Sequence, residues 1–268
     1  MKKESKKGLK IALIIAGGIV LAAALALLSI YVIVPAIKYS SAEKMLNNGE
    51  YQKAATAFEN LGNYKNSPEM AVASYKKLYG EETYLALKGG KAGDTYSFGK
   101  NEKGENLQWI ILERKGDKVL IVLKNILCLK QYNKDLNDVS WGTSTLREWL
   151  NNDFFATFTK AEQYKIMLSD VKADSNKGFN TKAGEDTQDK VFILSTTELR
   201  EYMATYAERK AEYNGKAACY WVRTPGANKM IFSFVNDEGG INYFGSQVGN
   251  GKIGVRPAMW VDLSAVEQ

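Results

Sequence analysis

Trp109-Ile110-Ile111-Leu112-Glu113-Arg114-Lys115-Gly116-Asp117-Lys118-Val119-Leu120-Ile121-Val122-Leu123 is the stretch that sets the fold class. Two apolar runs flank Lys-Gly-Asp-Lys, a turn sequence, and the spacing predicts a β-hairpin. Residues 126–129 extend the strand signal. Thr143-Ser144-Thr145 then caps a helix with Leu146, Trp149 and Leu150 on one face. Thr159-x-x-Glu162 is a capping box for a helix to about residue 168. Residues 170–189 are polar and glycine-bearing, without hydrophobic period, and read as a long surface loop. Residues 191–194 read as a short buried strand, and Ser195-x-x-Glu198 opens a helix to about residue 210. Strands follow at 219–222, 231–235, 241–244 and 254–263. Few helices and a strand-rich C-terminal half make the class α+β.

Upstream of the hairpin the pattern is helical. Asn47-Asn48-Gly49 is a helix end and turn. Tyr51, Ala54, Ala55, Phe58 and Leu61 then repeat with the 3.6-residue period. Ser67-Pro68-Glu69 opens a further helix, with serine as cap and proline at the first helical position. Leu46, Gly49, Tyr51, Ala54 and Phe58 resemble one tetratricopeptide-type unit followed by the first helix of another. Such arrays need about three repeats to stand alone. The segment 41–80 is therefore expected to pack or to serve as a stalk, with a peptide groove the lesser alternative. The glycine-rich stretch 88–93 joins it to a second domain, expected over 90–265.

Before these helices lies an apolar run, 11–37, free of charge. It exceeds the roughly 20 residues that span a bilayer. Lys2, Lys3, Lys6, Lys7 and Lys10 precede it against Glu4. The positive-inside rule then predicts a cytoplasmic tail, 1–10, an uncleaved transmembrane helix, 11–37, and an extracellular remainder. A cleaved signal peptide is the rival, but its apolar core is normally about 7–15 residues. Membrane lipid is the partner expected for 11–37.

The formal net charge is +6. The tail holds +4 of it, leaving +2 for the other residues. The basic balance thus reports the tail, and no nucleic-acid partner is expected. The chain has no histidine, which removes Ser-His-Asp and Cys-His catalysis and the usual zinc sites. No cofactor and no resident metal are expected. Cys128 and Cys219 either pair or stay as two buried thiols, the second being favoured.

Three arginines stand out. Arg147, Arg223 and Arg256 each sit among large apolar residues, where a guanidinium seldom lacks a partner. They either brace loops or line an anion pocket, with bracing favoured. Trp141, Trp149, Trp221 and Trp260 are core or stacking platforms, mostly core. Trp141 is the expected exception, an exposed aromatic at a loop end beside Gly142. Asp174, Asn176, Glu185, Asp186 and Asp189 read as a solvated loop rather than a calcium site. Gly239-Gly240, Gly245, Gly249 and Gly251 read as hairpin turns.

The ordered set Trp109-Ile-Ile-Leu112, Tyr132-Asn133, Trp141 with Leu146-Arg147-x-Trp149-Leu150-Asn151, Asp189 to Ser195, Trp221-x-Arg223-Thr224-Pro225-Gly226 and Gly254-Val-Arg256-Pro257-Ala258-x-Trp260 resembles a bacterial family known only as a domain of unknown function. The ending is more loosely similar to the C-type-lectin-like and sulfatase-modifying superfamily. The resemblance implies a lectin-like α+β fold. The catalytic cysteine pair of the sulfatase-modifying enzymes has no counterpart here, nor has the Glu-Pro-Asn calcium-and-sugar signature of true lectins. The expected function is a membrane-anchored extracellular recognition module for a peptide, glycan or wall component. A surface-acting enzyme and a structural subunit of an envelope complex are the alternatives. The expected site gathers Trp141, Arg147, Arg223 and Asn242 in one patch, with Asn151, Trp221 and Arg256 as further binding residues and no catalytic residue.

Overall fold

The computed structural model describes residues 29–80 and 89–265. The chain divides into two compact units, Met1–Tyr84 and Leu85–Gln268. The described part of the first is helical. A π-helical turn, Ser29–Ile33, runs directly into α1 (Val34–Asn47), followed by α2 (Tyr51–Glu59) and α3 (Ser67–Tyr79). Tyr39, Ala42, Leu46, Ala54, Phe58 and Ala71 form its core. The Tyr39 ring meets Phe58 edge-on at 5.4 Å. Asn66, not Ser67, is the residue before α3; the Ser67 hydroxyl instead donates to the carbonyl of Tyr64.

The expected transmembrane helix over 11–37 is corrected here. Among the described residues no helix is long and apolar enough to cross a membrane. The helix does not stop at Ile37. It continues through Lys38, Glu43 and Lys44 to Asn47, because Tyr39, Ala42 and Leu46 on one of its faces pack into the helical core. Residues 1–28, which carry the expected tail and most of the expected span, lie outside the described residues.

The second unit is α+β. Strands β1 (Thr95–Lys100), β2 (Asn106–Lys115) and β3 (Lys118–Leu123) form a meander, and the predicted hairpin is its second turn. A two-residue β4 (Cys128–Leu129) leads through a 3-10 turn (Trp141–Thr143) to α4 (Thr145–Trp149), which runs on as a π-turn (Leu150–Phe154). Ser144 caps α4 by accepting from the Arg147 N–H. Next come α5 (Lys160–Lys165), β5 (Ser169–Val171), β6 (Thr187–Asp189), β7 (Phe192–Ile193), α6 (Thr196–Tyr202) and α7 (Tyr206–Arg209). The helix expected from Ser195 to about 210 is thus two short ones. Thr205 and Glu208 form a second capping box that restarts the chain. The strands β8 (Glu212–Tyr213), β9 (Lys216–Ala217), β10 (Tyr220–Pro225), β11 (Ile231–Val235), β12 (Ile241–Gln247), β13 (Gly254–Val255) and β14 (Pro257–Asp262) finish the described chain.

Two five-stranded sheets result, ordered β1-β2-β3-β14-β7 and β12-β11-β10-β13-β4. A single residue, Arg256, separates β13 in one sheet from β14 in the other. One apolar cluster draws on both sheets, with Trp109, Trp221, Ile121, Phe232 and Val261 fully buried. All six residues of β10 are buried, as expected of a central strand. The stretch expected as a plain surface loop, 170–189, is more ordered than its polarity suggested. Its ends pair as β5 and β6, and Asn176 and Thr181 form a bridge within it. Gly245 lies inside β12 at a bulge rather than in a turn. Its φ is +92°, and a Cβ would stand 2.4 Å from the Phe232 carbonyl oxygen.

Candidate functional site

Arg256 sits at the crossover between the sheets and is buried. Its Nε donates to the Leu123 carbonyl at 2.8 Å, and its Nη1 to the Arg209 carbonyl at 3.2 Å and the Tyr220 hydroxyl at 3.1 Å. Nη2 reaches the Lys124 carbonyl at 3.2 Å. These acceptors belong to both sheets, so Arg256 fastens one to the other and lines no cleft. Arg223 is likewise buried. It forms a two-pronged ion pair with Glu198 and donates to the carbonyls of Ile193 and Lys172. Arg147 is only partly buried; its Nε lies 2.6 Å from the wholly buried carboxylate of Asp189.

Trp141 is the clearest correction. It is 5 % exposed, and its indole Nε1 donates to Asp189 Oδ2 at 2.8 Å. Thr187 Oγ1 donates to the same oxygen at 2.7 Å. A buried carboxylate needs such donors, and Trp141 is drawn inward to supply one. The expected patch with an exposed Trp141 therefore does not form. Asn242 is exposed, and its Oδ1 accepts from the Gly245 N–H within β12. Trp141 and Arg147 share Asp189; neither Arg223 nor Asn242 hydrogen-bonds to that group.

A cleft of about 340 Å³ lies instead beside α4. One wall is the chain after β4, carrying Lys130, Gln131 and Lys134. The other is helical, with Thr145, Glu148, Trp149, Asn152 and Asp153. The half-buried Trp149 ring stacks near Phe154 at 5.9 Å, and the Lys130 ammonium sits 4.5 Å from its centroid. Leu146 and Leu150 on the same helix are fully buried and fix its orientation. Trp149 lies on the flank of that apolar face, so its ring is shared between core and cleft.

Both walls are held from behind. The Trp221 indole N–H donates to the Lys130 carbonyl at 2.8 Å, and Lys130 N–H to the Ile253 carbonyl at 3.1 Å. Asn133 Oδ1 accepts from Thr145 N–H at 3.0 Å, and Thr145 Oγ1 accepts from Lys134 N–H at 3.0 Å. Asn151 fastens the helical wall to the 190–191 backbone, accepting from both N–H groups and donating to the Val191 carbonyl. Trp221 and Asn151, expected as binding residues, thus support the cleft from outside it. The lining residues Lys130, Lys134, Glu148 and Asp153 carry no motif signal. Trp149 was expected only among the mostly core tryptophans, on one helix face with Leu146 and Leu150, so no residue of this lining was singled out as a site.

A second cleft of about 460 Å³ lies near Ser140, Gly142, Gly184 and Thr187 and has no aromatic lining. The thiols belong to neither cleft. Burial pushes Cys128 up to about 11 and raises Cys219 as well. Both are free.

The chain belongs to the family described as Domain of unknown function (DUF6273). That family's model matches residues 116–263. The match starts in the turn between β2 and β3, yet β2 pairs with β3 and contributes the buried Trp109. The DUF6273 stretch includes both walls of the Trp149 cleft. No curated protein and no solved structure matches the chain, so the expected C-type-lectin-like fold gains no support beyond its motifs.

Proposed function

We propose that the second unit is a recognition module that binds a small polar ligand in the Trp149 cleft. The observation that carries this reading is the cleft's make-up. It holds a half-buried indole flanked by amides and by charges of both signs, on walls fixed by partly buried hydrogen bonds. A small-ligand site needs such a concave surface, with an apolar platform and a few placed polar groups. Its volume is at the lower end of the roughly 300–1,000 Å³ typical of such sites. The arginines point the same way: Arg223 and Arg256 are occupied with carbonyls and Glu198, which fits scaffolding better than catalysis. The raised thiols are poor nucleophiles at neutral pH.

The test is a titration of the protein with short peptides and oligosaccharides, followed by tryptophan fluorescence and calorimetry. Trp149→Ala is expected to abolish binding while the circular dichroism spectrum is kept. Undiminished binding by a folded Trp149→Ala variant overturns the reading.

A further inference from the structure

We propose that the ligand of this cleft is a short zwitterionic peptide with free amino and carboxyl ends, rather than a neutral saccharide. The proposal rests on the cleft reading above and adds the chemical class. Its basis is the separation of charge. Lys130 and Lys134 stand on the strand-side wall, and Glu148 and Asp153 on the helical wall. None of the four forms an ion pair with another described residue. The cleft keeps the walls apart, so their opposite charges do not neutralise each other.

A ligand that fills the space excludes water from these groups. A neutral sugar offers hydroxyls only and leaves each charge without a counter-charge, which raises the cost of desolvation. A zwitterion supplies both. Its carboxylate faces Lys130 and Lys134, its ammonium faces Glu148 and Asp153, and both contacts are charge-assisted hydrogen bonds. The position of Lys130 adds a second argument. Its ammonium occupies one face of the Trp149 ring, the face that a sugar would need for stacking from that side. The edge of the ring remains for a peptide side chain, while Lys130 keeps its charge directed at the ligand. Such an arrangement fixes ligand orientation through electrostatic complementarity.

The experiment uses the full chain and four probes: Ala-Ala-Ala with free ends, its N-acetylated form, its C-terminal amide, and an uncharged trisaccharide of N-acetylglucosamine. Calorimetry at low and at moderate salt reads affinity. The free tripeptide should bind most tightly, each blocked form roughly two- to fivefold more weakly, as befits partly exposed charge pairs. Salt should weaken the free form most. Lys134→Gln should weaken the free peptide and the amino-blocked peptide, but not the amide. Glu148→Gln with Asp153→Asn should weaken the free peptide and the amide, but not the amino-blocked form. All these side chains but Lys130 are exposed, so the variants should fold. Equal affinity for free and blocked peptides, or binding of the trisaccharide alone, overturns the charge assignment and leaves the cleft reading standing. Tripeptide binding that survives Trp149→Ala overturns both.

Discussion

The indole Nε1 of Trp141 donates to Oδ2 of Asp189 at 2.8 Å, across 48 residues of chain. Arg147 and Thr187 converge on the same carboxylate, which is wholly buried. This one contact ties the turn before α4 to the end of β6, and it turns Trp141 from a candidate ligand platform into part of the core.

Removal of Arg147 leaves the Asp189 charge buried with only the Trp141 and Thr187 donors. Arg147→Ala is expected to cost roughly 2–4 kcal/mol, below the extreme for a buried pair because those donors remain. Adding Asp189→Asn should recover part of that loss, since the unpaired charge is then gone. Urea denaturation of the single and double variants gives the coupling. A double variant less stable than Arg147→Ala alone would contradict the account.

Arg256→Ala should be more damaging. It strands the carbonyls of Leu123 and Lys124 at the junction of the sheets, while the Arg209 carbonyl keeps only the Tyr220 hydroxyl as donor. The expected loss is roughly 3–5 kcal/mol. Arg256→Lys should restore only a minor part, because an ammonium cannot reach acceptors spread around a planar guanidinium. Ligand affinity, measured on the folded fraction, should be unchanged.

Asp174 gives a pH dependence. Burial opposes its ionisation, but hydrogen bonds from Thr224, Thr197 and Thr196 outweigh burial and hold its pKa below the ordinary 3.8. A carboxylate depressed on folding adds stability that is complete above its unfolded value. That stability is lost as pH falls through the lower folded value. The window therefore lies below about 3.8. Asp174→Asn should flatten the stability–pH curve there while leaving its slope near neutrality alone. An unchanged acid limb in thermal melts would refute the assignment.

The thiols should remain reduced and slow to react. Cys128 lies opposite Val255, while the Cys219 carbonyl accepts from Gly254 N–H on the other side of β13. One strand therefore runs between them. Two strand spacings are roughly 9–10 Å, beyond the 7 Å limit for a disulfide. Thiol titration should find both cysteines free after unfolding without reductant, and Cys128 in the native protein should alkylate slowly at neutral pH.

Local chemistry was readable in advance wherever a few adjacent residues settle the outcome. The 109–123 hairpin, the cap at Ser144 and the capping boxes at Thr159 and Ser195 form as their spacing dictates. Boundaries fared less well where packing intervened. The first helix passes Ile37 because Tyr39, Ala42 and Leu46 have a core to enter. The helix after Ser195 breaks at Met203, and Thr205 starts another.

The sequence by itself determined the α+β class, the strand-rich ending, and that each of the three arginines would need partners, because these follow from periodicity, turn chemistry and the cost of burying charge. Only the tertiary structure decided which groups meet. Asp189 gathers Trp141 and Arg147 from more than 40 residues away, and the buried Trp221 stands behind Lys130 rather than beside a ligand. Whether an aromatic side chain faces solvent depends on which distant strand lies beneath it. Trp149 reaches the cleft because Leu146 and Leu150 take the buried positions of its helix. No spacing along the chain encodes that choice; it is made by how the two sheets and α4 fill one core.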